Sequence, residues 1–573
     1  MDSVKPSVDK AWLKNYKPGQ IDFRFSEETL YQSVSHVDDP SRIAFRYFGM
    51  PFSYSRFYQM VDQAARAFVL EGLVKGDRVM LMLPTLPETL VSVYALNRLG
   101  VVIDFIDVRY TPDRLLEVAR RIRPKYLFVM TFYLKQLETV RQELPVDRIV
   151  LMRGCDSMPS SVLFWYKFGE YFNGRRRIVS RCQKYIFWSD LVKRGQDCAL
   201  PEVDVDSEAI SCIFQTSGTS GFPKSMGHTN FNMVNSAISK YHFLNNPQPG
   251  DRLLSMLPPF SMFGFVFNIH MPLMFGMTLE IVPLFVPEKM SEILLRRKPN
   301  HILCVPSQWN CMIDNPLKDR DLSFLKTVYV AGESLNQSLR IKVNEIFASN
   351  GSQAVLQSDY GMTEAGGTIA FMHCEEAGNY SHQEGWTGYP MPKTGVCIYD
   401  NDKGEELGYG EIGEICALPP FGIKEYMDNP ESTSELISMH ADGQLWFHTG
   451  DNGFIAPDGS LHVIGRRKRM IVRFDGTKIF PIEIETEINM IEGVAECSVV
   501  PMADPVNEHC QLPCAFIVAK AGIDTGSLKN EIREKCKKNL PVYLQPEDIR
   551  FVGEIPRNSA GKTDYRKLIE LLH

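Results

Sequence analysis

Between residues 78 and 130, short wholly apolar runs alternate with longer amphipathic ones. The run at 78–83 predicts a buried strand, and 87–99 predicts a helix that opens on Pro87 and stops at Gly100. Residues 101–105 predict the next strand. Thr111 before Pro112 has the signature of a capped helix start, Pro124 ends that helix, and 126–130 predicts a third strand. A strand–helix–strand–helix rhythm of this kind predicts an α/β fold with a parallel sheet. Late in the chain, 496–501 and 515–519 predict strands and 525–539 an amphipathic helix, forming a smaller α/β unit beyond the basic run Arg466-Arg467-Lys468-Arg469. The most apolar long stretch, 264–286, carries Asn268, His270 and Glu280 and is interrupted by Pro272 and Pro283. A spanning helix needs about 20 predominantly apolar residues, so this stretch is expected to be buried core.

Composition narrows the class. A chain of 573 residues implies several folding units, and 44% hydrophobic with 23% charged residues is ordinary for a soluble globular protein. A net charge of −7 argues against nucleic acid as the main partner. The 13 cysteines are scattered without a C-x-x-C pair, and Cys510 and Cys514 come closest to one. That pattern suggests neither a zinc site nor a disulfide framework, but reduced thiols in a cytoplasmic protein. Met1 to Pro6 contains no apolar run of the secretory kind. The segment 162–185 is aromatic and then basic, a composition suited to peripheral contact with a membrane surface. The alternative, a surface hairpin or helix packed on the main domain, is favoured.

The strongest local signal is Gln215-Thr216-Ser217-Gly218-Thr219-Ser220-Gly221-Phe222-Pro223-Lys224, entered from an expected strand at 209–214. Its two glycines allow a tight turn and close approach to an anion, and its hydroxyls and lysine can donate to phosphate oxygens. A Walker loop does not fit, because Pro223 stands where that motif needs a glycine N–H. Ala560-Gly561-Lys562-Thr563 fails the same test, with Pro556 in place of the partner glycine.

Residues Ser217 to Lys224 resemble the phosphate loop of the adenylate-forming superfamily, which includes acyl-CoA synthetases, luciferases and peptide synthetase adenylation domains. Further motifs follow in family order. Ala331-Gly332-Glu333-Ser334 is similar to the adenine-contact turn, and Asp359-Tyr360-Gly361-Met362-Thr363-Glu364 to the Y-G-x-T-E motif. Thr449-Gly450-Asp451 is similar to the ribose site, Gly465-Arg466-Arg467-Lys468 to the hinge approach, and Pro556 to Lys562 to the C-terminal lysine loop. The resemblance runs from about residue 30 to the end. It implies a large N-terminal domain at 1–467 that binds ATP and a carboxylic acid, and a small mobile C-terminal domain at 468–573.

By this resemblance, Thr216, Ser217, Gly218, Thr219, Ser220, Gly221, Lys224, Gly332, Glu333, Ser334, Asp359, Tyr360, Gly361, Met362, Thr363, Asp451 and Arg466 are expected to contact ATP. Lys562, Glu364 and Thr219 are expected to be catalytic. Attack of a carboxylate on the α-phosphate joins two anions, which Lys562 would bridge. Glu364 offers the hard oxygen that Mg2+ prefers. Phe260, Ser261, Phe263 and Gly264 are expected at the acid pocket, with Ser261 standing where histidine is common in the family. No aspartate lies between Leu257 and His270 to hold a substrate ammonium, so a non-amino acid, fatty or aryl, is expected. Arg469 occupies the hinge position. Gly476 is expected at the thiol tunnel, in a segment one residue longer than usual. The implied activity is acyl-adenylate formation followed by transfer to coenzyme A. A carrier protein is an alternative acceptor, and an inactive ligand-binding scaffold is an alternative of another class.

Overall fold

A computed structural model describes residues 5–158, 182–215, 223–283, 286–306, 308–309, 317, 319–333, 335, 337–373, 385–473, 478–504, 511–557 and 563–572. Strands Arg78–Met82, Val102–Phe105 and Tyr126–Met130 lie parallel and are joined through helices Pro87–Arg98 and Pro112–Ile122. Thr111 caps the second helix by accepting from the Arg114 N–H. The chain leaves that helix through Arg123 in the left-handed conformation (φ 52°). Pro124 enforces the stop, since the residue before a proline avoids the helical region.

These strands are the middle of an eight-stranded sheet. From Ile210–Gln215 across to Tyr185–Phe187 the strands are parallel, as expected. At the other edge, Ser225–Thr229 and Tyr426–Met427 run antiparallel, which the strand–helix rhythm alone does not predict. A nine-stranded sheet likewise has a parallel centre, running from Leu356–Met362 to Ile43–Tyr47, with antiparallel strands at both edges. A six-stranded antiparallel sheet includes Gly395–Asp400, Gly413–Leu418 and Leu445–Ile455.

The apolar stretch after residue 262 is core. Phe263–His270 makes the wide turns of a π-helix and continues into helix Met271–Met274, with Phe265, Val266, Phe267 and Ile269 almost inaccessible. His270 is buried among them, and its ring nitrogens meet Tyr94 Oη at 3.1 Å and Ser33 Oγ at 3.5 Å. Gly264 is fixed by packing, because a Cβ there would lie 2.0 Å from the Pro258 carbonyl oxygen. Among the described residues no helix is long and apolar enough to cross a membrane. The segment 162–185 falls outside the described residues up to 181.

The C-terminal portion has its own core of Ile484, Ile488, Val499, Ile517 and Ile532. Strands Val494–Ala503 and Gln511–Ala519 pair antiparallel, Asp548–Phe551 joins parallel, and helices Pro481–Asn489 and Thr525–Asn539 pack together beside them. The second helix has the expected bounds and is capped by Asp524, whose carboxylate accepts from the Ser527 N–H.

Candidate active site

Strand Ile210–Gln215 delivers the chain to the hydroxyl-rich loop and Ser225–Thr229 carries it away, with Gln215 opposite Ser225. The loop therefore closes an antiparallel hairpin, whereas a Walker unit runs from strand into helix. Thr216, Ser217, Gly218, Thr219, Ser220 and Gly221 lie outside the described residues. The base of the loop is held by side chains. Gln215 Oε1 accepts from Ser225 Oγ at 3.0 Å, and Arg121 donates to the Pro223 carbonyl at 2.9 Å and to Ser225 Oγ at 3.1 Å. Gln215 Nε2 donates to Asp104 Oδ1 at 3.1 Å. Burial pushes the Asp104 carboxyl up to about 7. Sequence reading missed Arg121, whose only local signal is the basic pair in the last turn of its helix.

The Y-G-x-T-E segment ends strand Leu356–Met362. Tyr360 Oη donates to Asp451 Oδ2 at 2.7 Å. Asp451 Oδ1 pairs with Arg466 Nε at 2.9 Å, and Arg466 Nη1 donates to the Thr449 carbonyl at 3.0 Å. Cross-strand register places Asp451 directly opposite Arg466. Burial, and then the Asp451 charge, hold the Tyr360 phenol well above its ordinary pKa, so it remains a neutral donor. Gly361 is required by the fold, since a Cβ would come within 1.9 Å of the Gly367 carbonyl oxygen. Met362 pairs with Gly367 in the same hairpin, and Thr363 accepts from the Gly366 N–H in its turn.

Glu364 Oε1 accepts from Tyr426 Oη at 2.6 Å, and Lys224 Nζ sits 4.9 Å from the centre of the Tyr426 ring. Tyr426 is thus a shared support for two predicted site residues that lie 140 positions apart by their numbers (364 − 224). A single carboxylate next to the exit of a phosphate-type loop suits Mg2+, which takes one or two carboxylates and completes its shell with phosphate oxygens and water. Gly332 turns the chain (φ 82°) just beyond strand Thr327–Val330; Glu333 follows, and Ser334 lies outside the described residues.

Asp359 behaves differently from its neighbour. Successive side chains on a strand point to opposite faces. While Tyr360 reaches Asp451, the Asp359 carboxylate forms an ion pair with Lys240 and accepts from Thr368 Oγ1 at 3.1 Å. Both side chains of the pair are almost fully buried. The Lys240 ammonium also lies 4.1 Å from the centre of the Tyr329 ring. Lys240 lines a small cavity with Ser236, Ser239, Phe267, Gly366, Thr368, Met391 and Phe421. Lys240, buried on helix Asn230–Tyr241, was not singled out from the sequence.

None of the expected acid-pocket residues Phe260, Ser261, Phe263 and Gly264 lines this cavity, whereas Phe267, further along the same apolar run, does. Ser261 Oγ accepts from the Gly264 N–H at 3.0 Å, a local cap on the π-helical turn. The Phe260 ring lies 5.5 Å from the Arg109 guanidinium, and Phe263 meets Phe267 edge-on at 5.6 Å.

At the junction, Arg467 reaches back to Glu414 Oε2 at 3.4 Å, while Arg469 reaches forward to Glu485 Oε1 at 2.5 Å and the Val499 carbonyl at 3.2 Å. The Arg469 guanidinium also lies over the Tyr565 ring at 3.8 Å. Gly476 and Lys562 lie outside the described residues. The chain on either side of Lys562 is tied together, because Arg557 and Thr563 form an antiparallel bridge and Arg557 pairs with Glu496 Oε1 at 2.5 Å.

A family model described as AMP-binding enzyme matches residues 35–427, and one described as AMP-binding enzyme C-terminal domain matches 483–562. The chain is 25% identical over 537 residues to a 4-coumarate–CoA ligase of Petroselinum crispum, covering 93% of this chain and 91% of that protein. It is 24% identical over 578 residues to a long-chain-fatty-acid–CoA ligase of Bacillus subtilis (strain 168), covering 100% and 98%. The structure of the anthranilate CoA ligase AuaEII in complex with anthranoyl-AMP superposes with a TM-score of 0.80 at 20% identity, covering 96% of this chain and 98% of that one.

Proposed function

Since the chain belongs to the AMP-binding enzyme family, we propose that it activates a carboxylic acid with ATP and passes the acyl group to coenzyme A. In the first step a carboxylate oxygen attacks the α-phosphorus and pyrophosphate leaves. In the second the coenzyme A thiol, as thiolate, attacks the acyl carbon, and AMP leaves. The observation that carries this reading is the convergence of Tyr360, Asp451 and Arg466, from three strands, in one hydrogen-bonded network, with Glu364, Tyr426 and Lys224 clustered at the exit of the 216–222 loop.

Each group has a role in that chemistry. Asp451 accepts from the ribose hydroxyls, positioned by Tyr360 and Arg466. Lys224 and the loop donors Thr216, Ser217, Gly218, Thr219, Ser220 and Gly221 take the phosphates; Gly332, Glu333 and Ser334 face adenine. Glu364 would hold Mg2+, which when bound would neutralise phosphate charge. Lys562 bridges carboxylate and α-phosphate. The acid is expected at Phe260, Ser261, Phe263 and Gly264, so aryl and fatty acids lead the panel of candidates. We place the reaction in the cytoplasm, consistent with free thiols at every cysteine among the described residues.

The test is a panel of acids scored for pyrophosphate release and for acyl-CoA by mass. Pyrophosphate release without acyl-CoA would redirect the second step to a carrier protein. Acid-independent behaviour across aryl, fatty and dicarboxylic panels would leave a ligand-binding scaffold.

Tyr360→Phe removes a hydrogen-bonding support of Asp451. A hydrogen bond to a charged group contributes about 1.5–3 kcal/mol, so the KM for ATP should rise on the order of tenfold or more with smaller change in kcat. An unchanged ATP dependence would separate this contact from nucleotide binding.

The pivot lies at residues 467–469, where two arginines two positions apart are anchored to different portions of the chain. Arg469→Pro removes an anchor and disfavours helical geometry at Lys468. Acid-dependent pyrophosphate exchange should remain measurable while thioester formation is mostly lost. Arg469→Ala, which removes only the anchor, should retain more of the second activity. Equal losses of both activities in Arg469→Pro would move the pivot elsewhere.

A further inference from the structure

The six-stranded sheet carries a cluster that the proposed reaction does not use. Register sets Cys397 opposite Cys416, and Cys416 opposite His448, so three adjacent strands offer these side chains in one row on one face. His440, in the turn after strand Ile437–Met439, folds onto the row, with its ring stacked on Tyr399 at 4.0 Å and on Trp446 at 5.4 Å. One donor atom each from Cys416, His440 and His448 lie within 4.8 Å of one another. Cys416 is fully buried, and His440 and Cys397 are nearly so.

The histidines are already oriented. His448 Nδ1 stands 3.0 Å from Glu414 Oε2 and 3.5 Å from Cys416 Sγ, and a carboxylate only accepts, so that nitrogen carries the proton and Nε2 presents its lone pair; an ion bound at Nε2 therefore requires the Cys416 thiol to turn toward it from the Nδ1 edge. Nε2 faces Ser438 Oγ at 2.7 Å and His440 Nε2 at 3.2 Å. Two imidazole nitrogens on a tetrahedral zinc, each about 2.0–2.1 Å from it, are about 3.3 Å apart. Metal-bound histidines characteristically donate their other ring N–H to a carboxylate, which is the relation His448 has with Glu414. We propose that Cys416, His440 and His448 form a binding site for a borderline-soft divalent cation of the zinc class. Cys397 packs against Cys416 and stands outside the three-residue cluster. Binding releases the Cys416 thiol proton to solvent, and the ion takes the Nε2 lone pair now shared with Ser438 and His440. Glu414 also accepts from the Gly450 N–H at 3.0 Å, so the site lies directly behind the Thr449-Gly450-Asp451 turn.

The test uses the full chain, stripped with chelator and titrated with Co2+ and then Zn2+. One equivalent of Co2+ should give the near-ultraviolet sulfur-to-metal band and the visible bands of a tetrahedral site, and one equivalent of Zn2+ should abolish them. Cys416→Ser should remove the sulfur band, and Glu414→Gln, which alters the carboxylate shared by His448, Gly450 and Arg467, should weaken Co2+ binding about 10–100-fold. His440→Ala, outside the strand row that holds Cys416, guards against misfolding of the core variant; checked for native circular dichroism, it should lose the Zn2+-induced rise in melting temperature that the wild type shows. Absence of a sulfur band in the wild type, or its persistence in folded Cys416→Ser, would overturn the site and leave a purely hydrogen-bonded cluster.

Discussion

Replacing Lys562 with alanine should lower acid-dependent pyrophosphate exchange by about 10²–10³, the usual loss when one pre-organised electrostatic group is removed from a reacting centre. The effect should fall on one half of the cycle. Two anions must meet when the carboxylate attacks the α-phosphate, and Lys562 is the cation proposed to span both. Thiol attack on the finished adenylate joins no second carboxylate to the phosphate, so Lys562→Ala supplied with synthetic acyl-AMP and coenzyme A should make thioester at nearly the wild-type rate. Measuring both on one preparation separates this role from a general fault in folding. Normal exchange in the variant, or equal collapse of both steps, would remove Lys562 from the first reaction.

The second large effect is expected at Lys240 and Asp359. Their side chains are 1% and 4% exposed, so neither charge has water to fall back on. Breaking a buried pair from one side typically costs about 3–5 kcal/mol, whereas replacing both members with apolar groups of similar volume is often neutral or stabilising. Lys240→Met should therefore lower the denaturant midpoint markedly, and Lys240→Met with Asp359→Leu should recover most of the loss. A single variant within about 1 kcal/mol of wild type would put the pair among those that behave like surface ion pairs.

What could be read from the sequence depended on how local its cause was. Thr111, Pro112 and Pro124 act within a few residues of themselves, so helix Pro112–Ile122 was legible at both ends. The same holds for Thr525–Asn539. The π-helical turns at Phe263–His270 were not, because that run is apolar on every side and carries no period to count. The antiparallel edges of the large sheets were missed because pairing partners such as Met226 and Tyr426 are distant in the chain. The ribose turn was visible as motifs, yet the Tyr360–Asp451 contact joining two of them was not. Asp359 was grouped with its neighbours until the alternation of the strand turned it toward Lys240. The Cys416 cluster had no sequence signature at all, since its members come from separate strands and a turn.

The bridge between Arg557 and Thr563, with Arg557 tied to Glu496, bears on how the proposed catalytic lysine travels. A side chain hung on a slack terminus would search for its target by itself, and its arrival would depend on a wide swarm of conformers. Lying between two bridged residues, the proposed catalytic Lys562 would instead be cargo of the C-terminal unit and keep time with it. The clock for the first half-reaction would then be the swing of some hundred residues, and the pace of the enzyme could be retuned at positions that never come near a phosphate.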